Sequence, residues 1–470
     1  MGAAAGRADY ADARLVRTRH ERVCLRDGAI EALERGEDEG VGVRVRVGGA
    51  WGFAACGEPT RAGAERALAR ALEVARSQRP AGGAELAPEP PARGERSGPC
   101  EEDPFAVSLE DKLELLAAAD AALRAQPGLA VARSELSALS TDVEFASTEG
   151  ALFHRRLTEC GAGLVATAVN EEGAQVRSWP ASHGGSVAQA GFEHVRRLDL
   201  SAAAPRVAEE AVALLSAPPC PAGPQTLLLA GEQLGLQLHE SVGHAVELDR
   251  VLGREASYAG TSFVSAHDIG SLRYGSELMN VTADGTSPGG LGTLPWDDEG
   301  VEGQAVPIVR EGLLRGFLSS RETAAEIGLE RSGGCMRADG FARQPLVRMT
   351  NVNLEPGGAG TLEDLIADTD SGLLLDTNRS WSIDSRRLQF QFGAEAAWEI
   401  RDGRLGRLLR NPTYAGVTPR FWGSMDAVCS ASEWRLASVV NCGKGEPGQV
   451  ARVSHGSAPA RFRGVEMGVA

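Results

Sequence analysis

Apolar and polar positions alternate with period two over several stretches of the chain. Val41, Val43, Val45 and Val47 alternate with Gly42, Arg44 and Arg46. Gly48-Gly49 turns the chain and Ala50-Trp51-Gly52-Phe53-Ala54 returns, which predicts a hairpin. Ala11 to Glu31 predicts two strands followed by an acidic turn. The period then changes. Ala64, Leu68, Leu72 and Ala75 share one helical face, which predicts a helix over Thr60 to Gln78 ended by Pro80. Ser108-Leu109-Glu110-Asp111 has the form of a capping box. Leu109, Leu113, Leu116 and Leu123 follow at helical spacing until Pro127-Gly128.

Between these helices, residues 80–104 hold six prolines and five glutamates. That composition predicts a linker or long surface loop, extended or disordered. Val131 to about Gln189 predicts several short strands with turns at Glu149-Gly150 and Glu172-Gly173. A helix around Val207 to Leu215 precedes Pro218-Pro219-Cys220-Pro221. The proline run sets a domain boundary near residue 222, giving domains 1–221 and 222–470.

The second domain opens on a strand at Thr226-Leu227-Leu228-Leu229 and a helix containing His239. Beyond it the pattern is mostly β. Ala305 to Arg310 and Leu313 to Ser319 flank Glu311-Gly312. Leu388, Phe390 and Phe392 alternate with Gln389 and Gln391. Trp398-Glu399-Ile400 leads into the turn Arg401-Asp402-Gly403, and Thr361-Leu362-Glu363-Asp364 starts a short helix. The fold class is α+β: an N-terminal α+β domain, then a largely antiparallel sheet or barrel carrying one main helix.

Composition narrows the function. The 470 residues suit two or three domains, and 58 glycines against 12 Phe and 4 Tyr suit many turns and short strands. The net charge of −16 and the lack of a Lys/Arg block argue against a nucleic-acid partner. No apolar run is long enough to span a membrane. No targeting segment is expected in Met1 to Tyr10, so the eight scattered cysteines read as reduced thiols in the cytoplasm.

The chemistry concentrates in His239-Glu240-Ser241-Val242-Gly243-His244, at the end of the apolar run Leu234 to Leu238. Imidazoles suit zinc, and a neighbouring carboxylate can accept a proton from water acidified by the ion. Histidines at i and i+5 lie roughly 140° apart on a regular α-helix, too far round to meet at one ion. An i→i+5 turn would realign them, and Gly243 makes such a distortion cheap. A catalytic zinc takes three protein ligands. Glu247, Asp249, His267, His455, Cys429 and Cys442 are all candidates for the third. Cys442 has the most distinctive context, in Asn441-Cys442-Gly443-Lys444-Gly445, beside one of only two lysines.

Several separated blocks together resemble the TldD/PmbA family of metallopeptidases, on the TldD side. They are His239-Glu240-x-x-Gly243-His244 with Glu247 and Asp249, Gly40-Val41-Gly42-Val43-Arg44, Trp51-Gly52-Phe53, Asp297-Asp298-Glu299-Gly300, Arg348-Met349-Thr350-Asn351 and Asn441-Cys442-Gly443-Lys444. The resemblance implies zinc held by His239, His244 and Cys442, with Glu240 as general base. It implies a cytoplasmic zinc peptidase acting on peptides or unfolded polypeptide segments. It also implies a homodimer, or a heterodimer with a PmbA/TldE-like subunit. Ser241 stands where the family usually has alanine and Leu248 where it often has glycine, departures expected to bear on substrate shape.

The other polar groups have plainer expectations. Asp297, Asp298 and Glu299 read as a solvated acidic turn in preference to a second metal site. His267 and His455 read as surface or structural residues. Lys444 is open between polarising substrate and pairing with Glu446. A different class of function is a non-catalytic binding or scaffold subunit with a structural zinc, for which Glu247 would be the fourth ligand.

Overall fold

The computed structural model describes residues 2–78 and 85–468. The first half is built on an eight-stranded sheet. Strand β1 (Tyr10–Arg26) turns at Asp27-Gly28 into β2 (Ala29–Val47), and β3 (Ala50–Cys56) completes the expected glycine-turn hairpin. Helix α1 (Arg61–Ser77) is capped by Thr60, whose side chain accepts from the Gly63 N–H. Its Ala71 and Ala75 pack onto Gly52, where a β-carbon would lie 2.1 Å from the Ala71 carbonyl. Pro80, expected to end this helix, lies outside the described residues.

The acidic stretch after Glu31 is a strand and not a turn. Its glutamates face arginines across the ladder in register: Arg17 opposite Glu39, Arg19 opposite Glu37, Arg22 opposite Glu34. Opposite charges in directly facing positions favour pairing, although both faces are wet. Where it is described, the 80–104 stretch takes the extended form of the two expected, but it is anchored and carries a strand. It contains β4 (Arg93–Ser97), and before that strand Ala87 exchanges hydrogen bonds with Arg321 while Glu89 pairs with Arg331. It is extended, and pinned to the second half of the chain.

Helix α2 (Leu109–Arg124) follows, capped by Ser108. The region after it forms two long strands, β5 (Leu129–Ser147) and β6 (Leu152–Asn170), and two short ones, β7 (Gly173–Trp179) and β8 (Ser186–Gln189). Both expected turns are present, but the strands between them run on. The sheet order is β3-β2-β1-β5-β6, and the far edge of β6 is taken in sequence by β4, β8 and β7. Helices α3 (Phe192–Leu198), which the pattern missed, and α4 (Leu200–Leu214) complete this half. α4 starts seven residues earlier than expected because Asp199 caps it. The leucines and alanines of α2 and α4 cover β5 and β6.

The second half centres on a nine-stranded sheet. Its middle strand is β9 (Gly223–Leu229), with Leu227, Leu228 and Leu229 all fully buried. β9 pairs antiparallel with Ala460–Met467 and parallel with Ser371–Leu375. The sheet is therefore mixed at its centre and antiparallel elsewhere. Hairpins occur at the expected Glu311-Gly312 and Asp402-Gly403 turns, each pair with positive φ. The strand expected over Leu313 to Ser319 is only Leu313–Leu314. Helix α5 (Gly231–Leu238) leaves β9 directly and runs into the core, so the segment it carries is enclosed.

Asp297, Asp298 and Glu299 are buried between the halves, contrary to a solvated turn. Arg14 and Arg155 hold Asp298, Arg44 holds Glu299, and Asp297 accepts the N–H groups of Glu299, Val301 and Met336. Each carboxylate is satisfied by protein donors, so this loop ties the second half to the first sheet through Arg14, Arg44 and Arg155, and among the described residues it is not one of the groups that could hold an ion.

Candidate metal centre

The distortion expected at Gly243 is present. α5 ends at Leu238, and residues His239–Gly243 form one π-helical turn followed by a 3-10 turn over His244–Val246. The His244 N–H donates to the His239 carbonyl, the i→i+5 bond that defines such a turn. It brings the two rings to 4.7 Å, nearly perpendicular. Gly243 has ordinary helical angles, so its use is space and not conformational freedom. A β-carbon there would lie 2.3 Å from the Met349 sulfur. The loosened Ser241 carbonyl accepts from the Tyr274 hydroxyl at 2.6 Å.

Cys442 arrives from the hairpin formed by strands Arg435–Lys444 and Gln449–Ser457. The ladder slips between Val439 and Cys442, so Val440 and Asn441 bulge out of register. A bulge of this kind re-aims the next side chain. Arg348 donates to the Cys442 carbonyl and to the Gln449 carbonyl across the hairpin. One ligand atom from each of His239, His244 and Cys442 lies within 4.8 Å of the others, and Cys442 Sγ is 3.5 Å from His244 Nε2. No other such trio occurs among the described residues.

The hydrogen bonds behind the rings fix which nitrogens face inward. His455 Nδ1 lies 3.0 Å from the Val352 carbonyl, which can only accept. That nitrogen therefore carries the proton, and His455 Nε2 accepts from His239 Nδ1 at 2.7 Å. His244 Nδ1 donates to the Glu247 carboxylate at 2.9 Å. Both histidines are left with a bare Nε2, that of His244 facing the Cys442 sulfur. Burial holds His239 neutral, with a pKa pushed down to about 4, and lowers His244 in the same way. For Cys442, burial alone would raise the thiol. Transfer of its proton to His244 Nε2, which makes the two a thiolate and an imidazolium in contact, and the nearby Arg348 guanidinium outweigh burial and bring the pKa below its ordinary value. Two basic nitrogens and a thiol disposed to ionise fit a borderline-soft divalent ion.

The remaining candidates take other roles. Glu247 sits behind the His244 ring, and burial is outweighed by Lys444, His244 and Arg250, which hold its carboxyl well below the usual range. Lys444 is fully buried and donates to Asp249 at 2.7 Å and to the Val347 carbonyl. It neither meets Glu446 nor lines the cleft. His455, read as surface or structural, is fully buried and its Nε2 accepts from His239 Nδ1. The hairpin register was the signal for it: Cys442 pairs with Ala451, and Val453 and His455 follow on the same face at period two. His267 is exposed and Cys429 is remote from the trio. Ser241 donates to the Gln237 carbonyl and accepts from Trp422. Neither Ser241 nor Leu248 lines the cleft, so these departures bear on core packing.

The trio forms the floor of a cleft of about 390 Å³. Glu240 stands on its wall, ion-paired at 2.5 Å with Arg387, and His183 is a lining residue from the first half of the chain. Nothing in the local sequence marks Arg387. Its position comes from the loop between the strands Asn378–Ile383 and Gln389–Ala394, where it adopts a left-handed backbone with φ of 63°.

Comparison with known proteins finds relatives named as metalloproteases. The chain matches family descriptions of PmbA/TldA metallopeptidase domain 1 over residues 11–75, the central domain over 102–216 and the C-terminal domain over 222–468. A protein named metalloprotease from Methanothermobacter thermautotrophicus is 31% identical over 462 residues, covering 98% of this chain and 96% of that one. A zinc metalloprotease TldD homolog of Saccharolobus solfataricus is 27% identical over 248 residues, 53% of this chain and 52% of that one. The crystal structure of TldE from Thermococcus kodakarensis superposes with a TM-score of 0.76 at 16% identity, covering 98% and 97%, and shows the shared α+β fold. The chain therefore belongs to the PmbA/TldD metallopeptidase family.

Proposed function

We propose that this chain is a zinc-dependent peptidase that hydrolyses peptides or unfolded polypeptide segments. The observation that carries the reading is the set of two bare imidazole nitrogens and one thiol at the floor of a cleft walled by Glu240. His239, His244 and Cys442 would hold the ion. When bound, zinc supplies Lewis acidity, acidifying water and polarising a carbonyl. Glu240 follows His239 directly and shares the cleft. It takes the proton from the attacking water and returns it to the leaving amine. The enclosing helix and hairpin limit water around the reacting atoms.

The alternative, a closed structural zinc, needs a fourth ligand. Glu247 is a poor choice because it already accepts from His244 Nδ1, on the opposite side of the ring from Nε2. The two readings separate on Glu240→Ala. A peptidase keeps stoichiometric zinc and loses cleavage of an unfolded polypeptide; cleavage at the wild-type rate would remove Glu240 as the base. The chain acts as a homodimer or with a TldE-like partner subunit, a reading supported by the likeness to TldE. Light scattering of the purified protein, alone and with co-purifying chains, distinguishes these. The eight free thiols suit a reducing cytoplasm.

A further inference from the structure

Arg387 is held where it is by an unusual amount of structure. The loop 384–388 is fixed from within and from neighbouring segments. Asp384 Oδ1 accepts the N–H groups of Arg386 and Leu388, and the Arg387 N–H donates to the Asp384 carbonyl. From outside, Thr261 and Phe263 donate to the carbonyls of Ser385 and Arg386, and the Thr418 hydroxyl donates to that of Arg387. A left-handed backbone at a non-glycine residue is strained, and such strain persists where surrounding contacts over-determine it. The result is a guanidinium, mostly buried, on the cleft wall beside Glu240 and the metal ligands.

Among the described residues, Arg387 is the one arginine or lysine that lines the cleft. His239, His244 and Cys442 are committed to the ion and Glu240 to the water. A tetrahedral intermediate of amide hydrolysis develops a full negative charge on the former carbonyl oxygen. Donors placed in advance at a site of developing charge act most strongly where water is excluded. A guanidinium presents several N–H groups in a fixed fork and stays protonated throughout. Nη1 holds one Glu240 oxygen, which fixes the fork relative to the residue that handles the water's proton.

We propose that Arg387 is a catalytic residue that donates hydrogen bonds to the oxyanion of the tetrahedral intermediate. This deepens the peptidase reading and rests on it. No proton leaves Arg387. The water oxygen bonds to the carbonyl carbon, the carbon–nitrogen bond breaks, and the proton travels by way of Glu240 to the amine.

The test uses the zinc-loaded full chain and Arg387→Gly, which removes the side chain while glycine tolerates the positive φ. Arg387→Lys keeps the charge without the fork. An internally quenched unfolded peptide reports kcat and KM. A phosphinic peptide, a tetrahedral anion, is compared in binding with the parent peptide. The expected result is a fall of about 10²–10³ in kcat for Arg387→Gly with little change in KM. Affinity for the phosphinic peptide falls by a similar factor, affinity for the parent peptide holds, and zinc content stays at wild type. Added guanidinium ion partly restores kcat to the glycine variant, and Arg387→Lys is intermediate. A rise in KM at constant kcat, unchanged phosphinate affinity, or loss of zinc in both variants overturns the proposal. Absence of cleavage of any unfolded peptide by the zinc-loaded wild-type chain would instead defeat the peptidase reading beneath it.

Discussion

The two sides of the metal centre are built in opposite ways. The helical side places His239 and His244 within six residues and aligns them with a single i→i+5 hydrogen bond. The hairpin side delivers Cys442 from 198 residues beyond His244, and aims it with a ladder slip and an arginine clasp. Both histidines are backed by a further side chain. Glu247 stands behind His244, and His455 behind His239. The backing crosses over in one case: His455, on the hairpin, orients a histidine on the helix. Local geometry fixes the spacing of two ligands, while tertiary packing decides whether the third and the correct tautomers exist.

Breaking the hairpin side outright gives the largest effect. Cys442→Ala removes one of the three proposed ligands, and the purified protein is expected to hold no stoichiometric zinc by elemental analysis. Full occupancy would take Cys442 out of the site. Lys444→Met comes next. Lys444 is fully buried between Glu247 and Asp249, so its loss leaves buried carboxylates unpaired. A destabilisation of about 3–5 kcal/mol is expected in denaturant unfolding.

His455→Phe tests the crossing contact. It keeps bulk but removes the acceptor for His239 Nδ1, and zinc affinity measured by competition should fall about 10–100-fold with the fold intact. An unchanged affinity would mean that the helix orients His239 unaided. Acidification separates the sides most gently. In the metal-free chain, burial holds His239 down to about 4, whereas an unfolded imidazole titrates near 6.5. The unfolded state thus binds more protons between those values. The contribution of His239 to stability is unchanged above about pH 7 and declines as the pH falls from about 6.5 toward 4. Unfolding of metal-free wild type against His239→Asn across that range checks the sign.

Local chemistry was legible in the sequence where it was truly local. The i,i+5 spacing required a widened turn, and the turn is π-helical. The double-glycine hairpin and the Ser108 cap lie where pattern and chemistry placed them. Features set by distant partners were not legible. The residues alone left Cys442 among six candidates, because a thiol's role depends on what its strand packs against. Asp297 to Glu299 looked solvated because Arg14, Arg44 and Arg155 lie far away in sequence. Glu34 to Glu39 looked like a turn because its pairing depends on facing arginines, which single-strand periodicity does not contain. Arg387 gave no signal, since its conformation is imposed by Thr261, Phe263 and Thr418 from other segments.

The wide separation of the ligands along the chain has a consequence for biosynthesis. A ribosome extends the polypeptide from its N-terminus, so both imidazoles emerge long before the thiol that completes the trio. During that interval the growing chain carries an unarmed centre among other newly made, still unfolded polypeptides. The peptidase proposed here would acquire its cutting power only once the hairpin bearing Cys442 has emerged and folded.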